Sequence, residues 1–168
     1  MEDRVENKKN ISLKIIEIFK KEKKIILITL FSIILIITGI FLLNYHNNEL
    51  NKKTSEKYIK AGLLLSSENK EESKNIYKEI VLGKNSFYSL LALNEIIENN
   101  LEPDSNKVLE LFIAIENIKN NKEQKNLIQL KKGLYLMKIS KQEEGKKILK
   151  KLVEINSIWK EAALEILN

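Results

Sequence analysis

Side chains that commonly carry catalysis or hold metals are scarce in this sequence of 168 residues. Histidine occurs once, as His46, and cysteine does not occur. The lack of cysteine excludes disulfides, cysteine-ligated metals and thiol catalysis. A metal site needs several His, Cys or carboxylate ligands close together, and no such cluster accompanies His46. We interpret His46, which follows an apolar stretch, as an interfacial residue, and we predict no metal and no cofactor.

Two carboxylate pairs, Glu71/Glu72 and Glu143/Glu144, are the next candidates for acid–base chemistry. Both fall at predicted helix starts, where negative charge complements the helix dipole. A phosphate-cradling loop of the G-x-x-x-x-G-K type does not occur. We therefore predict that the protein is not an enzyme. An enzyme or lipid-handling protein with an unrecognised pocket stays open as an alternative.

The formal net charge of +6 raises the question of nucleic-acid binding. Residues 1–24 hold eight Lys or Arg against five Asp or Glu, and residues 44–168 hold 21 against 18. Lys and Glu are interleaved, which is typical of solvated helix faces rather than of a phosphate-tracking stripe. We predict that nucleic acid is not a partner.

Residues 25–43 read IILITLFSIILIITGIFLL and contain no charge. As a helix these nineteen residues reach about 28 Å, close to the hydrocarbon thickness of a bilayer. A buried helix of this length would show a polar stripe, and a cleaved signal peptide would end in an A-x-A-like site. Neither feature is present, so an uncleaved transmembrane anchor is predicted. Its representative residues are Ile25, Leu30, Leu35 and Leu43.

Lysines flank only one end of this stretch. Four of them precede it, namely Lys20, Lys21, Lys23 and Lys24, whereas no lysine follows it before Lys52. The positive-inside bias then predicts that residues 1–24 are cytoplasmic and that residues 44–168 are periplasmic, in a bacterial inner membrane. Residues 11–19 have an amphipathic pattern that fits a helical lead-in, an interfacial helix on anionic lipid, or a docking site for a cytoplasmic partner.

The rest of the chain shows helical periodicity and no strand alternation, which predicts an all-α fold. Breaks containing Asn, Ser, Gly or Pro separate the predicted helices. Pro103 cannot continue a helix, and Asp104 or Ser105 can cap the next one. Seven helices are predicted after the anchor, at 49–66, 70–82, 86–99, 104–119, 122–139, 142–154 and 157–167.

Short helices joined by short turns suggest a helical-repeat array. A tetratricopeptide repeat has about 34 residues, and small residues twelve positions apart pack where its two helices cross. Three pairs have this separation: Ala61 with Ser73, Ile96 with Val108, and Gly133 with Gly145. We therefore predict a degenerate tetratricopeptide-repeat-like (TPR-like) solenoid with a period near 36 residues, in which residues 157–167 cap the stack. An irregular helical bundle is the alternative.

Stacked helix pairs commonly bind peptides on a concave surface. Tyr58, Tyr88 and Tyr135 are candidates for partner contacts, although each of them also suits a packing role. Three amide side chains, Asn94, Asn126 and Gln129, are candidates for hydrogen bonds to an extended peptide backbone.

Two stretches carry a family resemblance. Residues 84–93 read KNSFYSLLAL, and residues 157–164 read SIWKEAAL. With the charged head, the single span and the repeat-like helices, they resemble the YfgM-like family, ancillary subunits of the bacterial SecYEG translocon. Typical members carry further C-terminal helices, which this sequence does not show after Asn168, so the resemblance does not extend to partner contacts made by those helices.

The resemblance implies a membrane-tethered periplasmic scaffold near the Sec translocon that links exported proteins to envelope chaperones. The expected partners are therefore the membrane and other proteins. The alternative is a self-associating structural protein of envelope organisation or cell division, which would form a homo-oligomer.

Overall fold

In a computed structural model that describes residues 23–168, the chain is helical and contains no strand within those residues. This confirms the predicted all-α class. The seven helices of the described part are α1 Lys23–Ser66, α2 Lys70–Leu82, α3 Tyr88–Glu98, α4 Ser105–Glu116, α5 Lys122–Lys138, α6 Gln142–Glu154 and α7 Lys160–Leu167.

Helix α1 contains the predicted anchor and continues without a break for 44 residues. We expected the span to end at Leu43 and a separate helix to start at residue 49. Residues 44–48, NYHNN, include neither proline nor glycine, so nothing in them forces the helix to stop. The chain nevertheless divides into two compact units, and the division falls between Glu49 and Leu50.

The polar residues of the apolar stretch are satisfied within α1. The hydroxyl groups of Thr29, Ser32 and Thr38 donate to carbonyl oxygens four residues earlier, at 2.9, 2.9 and 2.8 Å. Such bonds remove the need for water at these side chains. By length and composition, α1 is the one described helix apolar enough to cross a membrane.

Most turns between the helices use a residue in the left-handed conformation. The φ angles are 64° at Glu68, 58° at Lys84, 50° at Asn100, 66° at Ser140 and 49° at Asn156. In four of these turns the next residue donates its backbone N–H to the carbonyl five residues earlier, as Asn69 does to Leu64 and Lys141 to Leu136. This is the Schellman ending of a helix, and it reverses the chain within a few residues.

Two helix starts show how side chains fix the boundaries. The Asp104 carboxylate accepts from the Asn106 backbone N–H at 2.9 Å, so the predicted cap after Pro103 is Asp104. Asn121 and Gln124 form a reciprocal capping box at the start of α5, with bonds of 2.8 and 3.3 Å. Both devices satisfy backbone donors that a helix start leaves unpaired.

The domain from Leu50 onward has two hydrophobic clusters. The first cluster gathers α2, α3 and α4 with Ala61 of α1, and its largest fully buried side chains include Tyr77 and Phe112. The second cluster is smaller and joins α5, α6 and α7 around Leu149 and Ala163. Helix α5 contributes to both clusters, so it lies between them.

Candidate interaction surface

The crossing between α1 and α2 brings together the first pair predicted at twelve-residue spacing. The Ser73 hydroxyl donates to the Ala61 carbonyl oxygen at 2.8 Å, and neither residue is exposed. A small side chain on each helix allows this close approach. Two ion pairs, Lys57–Glu79 and Lys60–Glu72, lie at the surface of the same hairpin.

The crossing between α5 and α6 is closer still. A Cβ atom placed on Gly145 would lie 2.6 Å from the Gly133 carbonyl oxygen and 2.6 Å from Cγ of Met137. A Cβ atom on Gly133 would meet the Leu149 side chain at 3.0 Å. The backbones therefore touch at this point, and no larger residue fits at position 145 without a shift.

The middle pair at twelve-residue spacing, Ile96 and Val108, is buried within the first cluster. One further small-residue contact was not anticipated. The hydroxyl of Ser89, which is fully buried, donates to the Ile80 carbonyl oxygen at 3.0 Å and joins α3 to α2. The only sequence signal for it was a serine inside the apolar run of α3.

The tyrosines considered for partner binding have internal contacts. The Tyr58 hydroxyl donates to the Glu95 carboxylate at 2.9 Å, and its ring lies 5.5 Å from Tyr77 and 5.9 Å from Tyr88, centroid to centroid. Burial, with the Glu95 carboxylate adding to it, raises the pKa of Tyr58 well above its usual range. Burial is also the main cause that raises the pKa of Tyr77 to about 12.

Tyr135 packs against Phe112 at a centroid distance of 5.7 Å and is 8% exposed. Its edge lines a shallow groove between α3 and α5 of about 160 Å³, together with Asn94, Leu134 and Lys138. All three tyrosines are thus packing residues in the first instance, and Tyr135 also borders a surface depression.

A partly buried ion pair ties α2 to the loop before α4. The Glu102 side chain accepts from the Lys78 ammonium and from the Asp104 backbone N–H, the latter at 3.1 Å. The hydrogen bond from Lys78 lowers the pKa of the Glu102 carboxyl below its usual range, against the opposing effect of desolvation. This contact fixes how the second helix pair meets the first.

Helices α5 and α6 form the most basic surface of the domain. Residues 119–160 carry twelve lysines and four glutamates, whereas residues 44–118 carry nine lysines and twelve Asp or Glu. Over residues 44–168 together the two opposite excesses largely offset each other, at 21 lysines against 18 Asp or Glu. Four lysines follow one another along α6, at Lys146, Lys147, Lys150 and Lys151.

A groove of about 450 Å³ lies between α5 and α6, open to solvent. Its lining is Asn126 and Gln129 from α5, with Lys147, Ile148, Lys151, Leu152 and Ile155 from α6 and its C-terminal end. The groove therefore combines an apolar floor with the ammonium groups and the Gln129 amide at its rim, whereas Asn126 is buried. We call it the α5–α6 groove.

Helix α7 closes the other side of the second cluster. The Trp159 indole N–H donates to the Glu123 carbonyl oxygen at 3.2 Å, and Ser157 donates to the Glu123 carboxylate at the same distance. Trp159, Ala163 and Ile166 face this cluster together, so α7 covers the α5–α6 pair.

In the apolar stretch, the predicted anchor residues are exposed. The exposed fractions are 60% for Ile25, 55% for Leu30, 57% for Leu35 and 66% for Leu43. Lys23 and Lys24 are exposed residues of α1. Lys20, Lys21 and the interval 11–19 lie outside the described residues.

Within residues 23–168 no group of three or more His, Asp or Glu side chains is placed to hold a metal ion. His46 is exposed on α1.

Comparison with models of protein families, with curated proteins and with solved structures finds no match for this chain. The resemblance to the YfgM-like family therefore stays a prediction that rests on residues 84–93 and 157–164.

Proposed function

We propose that the protein is a membrane-tethered scaffold that binds protein partners through a TPR-like stack of helix pairs. The observation that carries this proposal is the α5–α6 groove, a solvent-open depression with an apolar floor and a polar rim. Such grooves suit peptide segments, because apolar pockets supply affinity and rim groups supply orientation.

The repeat character is supported by spacing and by packing. The second helices of the three pairs begin at Lys70, Ser105 and Gln142, which are 35 and 37 residues apart. The close approaches at Ala61/Ser73 and Gly133/Gly145 occupy corresponding places in the first and third pairs. Each helix from α2 onward contacts the next, and α2 also contacts α4, as neighbouring units of a stack do.

The tether is the apolar part of α1. Its large apolar side chains at residue 25 and over 27–43 are exposed, and exposed apolar surface of this extent favours a nonpolar environment such as a bilayer. Lys23 and Lys24 at its first turn favour a cytoplasmic N-terminal side and a periplasmic domain. We further propose, from the family resemblance, a position near the Sec translocon and contact with envelope chaperones.

Crosslinking in intact membranes tests this function. The full chain is expressed in its native membrane, crosslinked and purified, and the captured proteins are identified by mass spectrometry. We expect translocon components or periplasmic chaperones. A variant whose residues 25–43 are reversed in order keeps the apolar composition and should capture the same proteins, since the domain does the binding. Recovery of neither class of partner would contradict the proposal.

Self-association is the second candidate. Several large apolar side chains of the domain are exposed, including Leu82 at 57%, Phe87 at 60% and Ile158 at 71%. Exposed apolar residues of this kind can pair in a homo-oligomer. Crosslinks found only between copies of this chain would favour self-association over the scaffold.

A further inference from the structure

We propose that the α5–α6 groove binds an acidic peptide segment that also carries apolar side chains. This inference rests on the proposed scaffold function and names the chemistry of its partner.

The apolar part of the partner is indicated by the floor of the groove. Leu152 is only 2% exposed and belongs to the second cluster, whereas Ile155 is 40% exposed beside it. Ile148, one helical turn before Leu152 on α6, also lines the groove. Covering this recess would remove apolar surface from water, which favours a side chain such as leucine in the partner.

The peptide character of the partner is indicated by two amide groups. Asn126 donates to the Glu123 carboxylate at 3.2 Å, and Gln129 donates to the Glu116 carboxylate at 2.8 Å. These bonds use the amide nitrogens. Among the described residues, neither amide carbonyl oxygen accepts a hydrogen bond. Gln129 is half-buried, so its oxygen can accept from a backbone N–H of an extended segment, whereas Asn126 is 7% exposed.

The acidic character of the partner is indicated by the lysines of α6. Two glutamates, Glu143 and Glu154, line the same surface depression as Lys146, Lys147, Lys150 and Lys151, so the lysines outnumber them two to one. Among the residues that the structure describes, no carboxylate lies within 4.0 Å of the four ammonium groups. Lys147 and Lys151 are one helical turn apart at the groove rim. Residues one turn apart on a helix face lie about 5–6 Å apart. Carboxylates two residues apart on an extended chain are spaced by about 6.6 Å, which is close to that distance.

A peptide fits these observations better than two other acidic surfaces. Anionic lipid headgroups would meet the lysines, but a flat membrane surface does not reach the recessed Leu152. A second copy of the chain offers residues 44–118, which carry only twelve acidic residues against nine lysines. Neither alternative explains the unused amide oxygen of Gln129.

Binding of a synthetic peptide to the full chain tests the inference. The chain is placed in nanodiscs of phosphatidylcholine, so that the lipid surface has no net charge. The probe is a fluorescein-labelled peptide of alternating glutamate and leucine, and the measurement is fluorescence anisotropy. We expect saturable binding that weakens with added salt, and no binding of the same peptide with glutamine in place of glutamate.

Two charge-reversal variants separate the groove from general attraction. K147E/K151E should weaken binding about tenfold or more, because two favourable contacts become repulsive. K52E/K53E changes the net charge equally on exposed residues of α1 and should alter the affinity less than about twofold. Trp159 emission checks folding, and K147Q/K151Q replaces the reversed pair if that variant misfolds. Equal weakening by both reversals, or no binding to the unaltered chain, would overturn the inference.

A separate experiment tests whether these lysines bind anionic lipid instead of a peptide. Acetylation of Lys147 and Lys151 by a water-soluble reagent is compared in discs of phosphatidylcholine and of phosphatidylglycerol. Equal acetylation in both supports the peptide site, whereas protection only by phosphatidylglycerol would assign the lysines to the membrane and overturn it. The crosslinking experiment in membranes separates this inference from the proposed function. If K147E/K151E captures the same partners as the unaltered chain, the scaffold function is retained and only the assignment of this groove is rejected.

Discussion

The crossings α1/α2 and α5/α6 bring two helices together at the same twelve-residue spacing by different means. In the first, a serine hydroxyl bonds to the facing carbonyl, and the surrounding cluster is the larger one. In the second, two glycines remove the side chains altogether, and the surrounding cluster is small. The first crossing is therefore held by a hydrogen bond and extensive packing. The second depends on Gly145 having no Cβ atom.

This difference has a consequence for the surfaces of the two hairpins. Helices α5 and α6 touch through glycines, and an open groove lies between the same two helices. The α1/α2 hairpin is joined instead to α3 through Tyr58, Tyr77 and Glu95. The tightest crossing thus accompanies the surface that we assign to binding.

The largest expected effect is that of Gly145→Ala. The new methyl group would lie 2.6 Å from the Gly133 carbonyl oxygen, so the helices must separate, at a cost of about 2 kcal/mol after the gain in helix propensity. Denaturant unfolding of the full chain in detergent, followed by the fluorescence of Trp159 in the adjoining cluster, measures it.

Gly62→Ala is the matched control for that variant. A Cβ atom there meets only the Tyr77 hydroxyl, at an ordinary 3.6 Å. We expect no loss of stability and a gain of up to about 1 kcal/mol. If Gly145→Ala behaved like Gly62→Ala, the close approach of α5 and α6 would be refuted.

Next in size is the loss of the Glu102 charge. Because the folded-state pKa of Glu102 is lowered, its contribution is present above the usual glutamate pKa of about 4.3 and is lost as the pH falls through the lowered value. Glu102→Gln should destabilise the domain at neutral pH by about 1–2 kcal/mol and reduce the acid sensitivity of unfolding. Circular dichroism across pH measures both effects, and an unchanged pH profile would contradict the ion pair with Lys78.

A smaller effect is expected from Ser73→Ala. The variant removes the hydroxyl that bonds to the Ala61 carbonyl but adds no atoms, so the cost should be about 1 kcal/mol. The measurement is the same denaturant unfolding, followed by circular dichroism. Ser67→Ala, which removes an exposed local hydrogen bond, is the control and should cost less. A neutral Ser73→Ala would show that packing alone holds the first crossing.

The smallest effects concern the turns, where the two hairpins are alike. Glu68 and Ser140 both adopt left-handed backbone with φ angles of 64° and 66°. Glycine relieves that conformation, so E68G and S140G should each stabilise the protein by roughly 0.5–1 kcal/mol. Thermal unfolding measures the two gains, and a clear loss in either variant would show that its side chain has a role beyond the turn.

Local signals in the sequence were sufficient for most helix boundaries. Helices 70–82 and 142–154 were predicted with the bounds that the structure gives them. Pro103 and Asp104 marked the start of α4 to within one residue. These boundaries depend on turn and cap residues close in sequence, which is why pattern reasoning succeeds there.

Contacts between distant residues were not predictable in the same way. Lys78 and Glu102 are 24 residues apart, and no periodic pattern in the sequence predicts that they form an ion pair. Asn126 and Gln129, which line the α5–α6 groove, were candidates from the sequence, but the basic character of the groove was not predicted. The charge was averaged over residues 44–168, where the acidic excess of residues 44–118 offsets the lysines of residues 119–160. The continuity of α1 was missed because residues 44–48 are polar without being helix breakers.

The proposed function needs the binding domain to lie on the periplasmic side of the membrane anchor, and the topology of the chain tests this most directly. A reporter active only in the periplasm is fused after Asn168, and a reporter active only in the cytoplasm is fused there in a second strain. We predict activity of the periplasmic reporter alone. Activity of the cytoplasmic reporter alone would contradict the orientation and, with it, the proposed periplasmic scaffold.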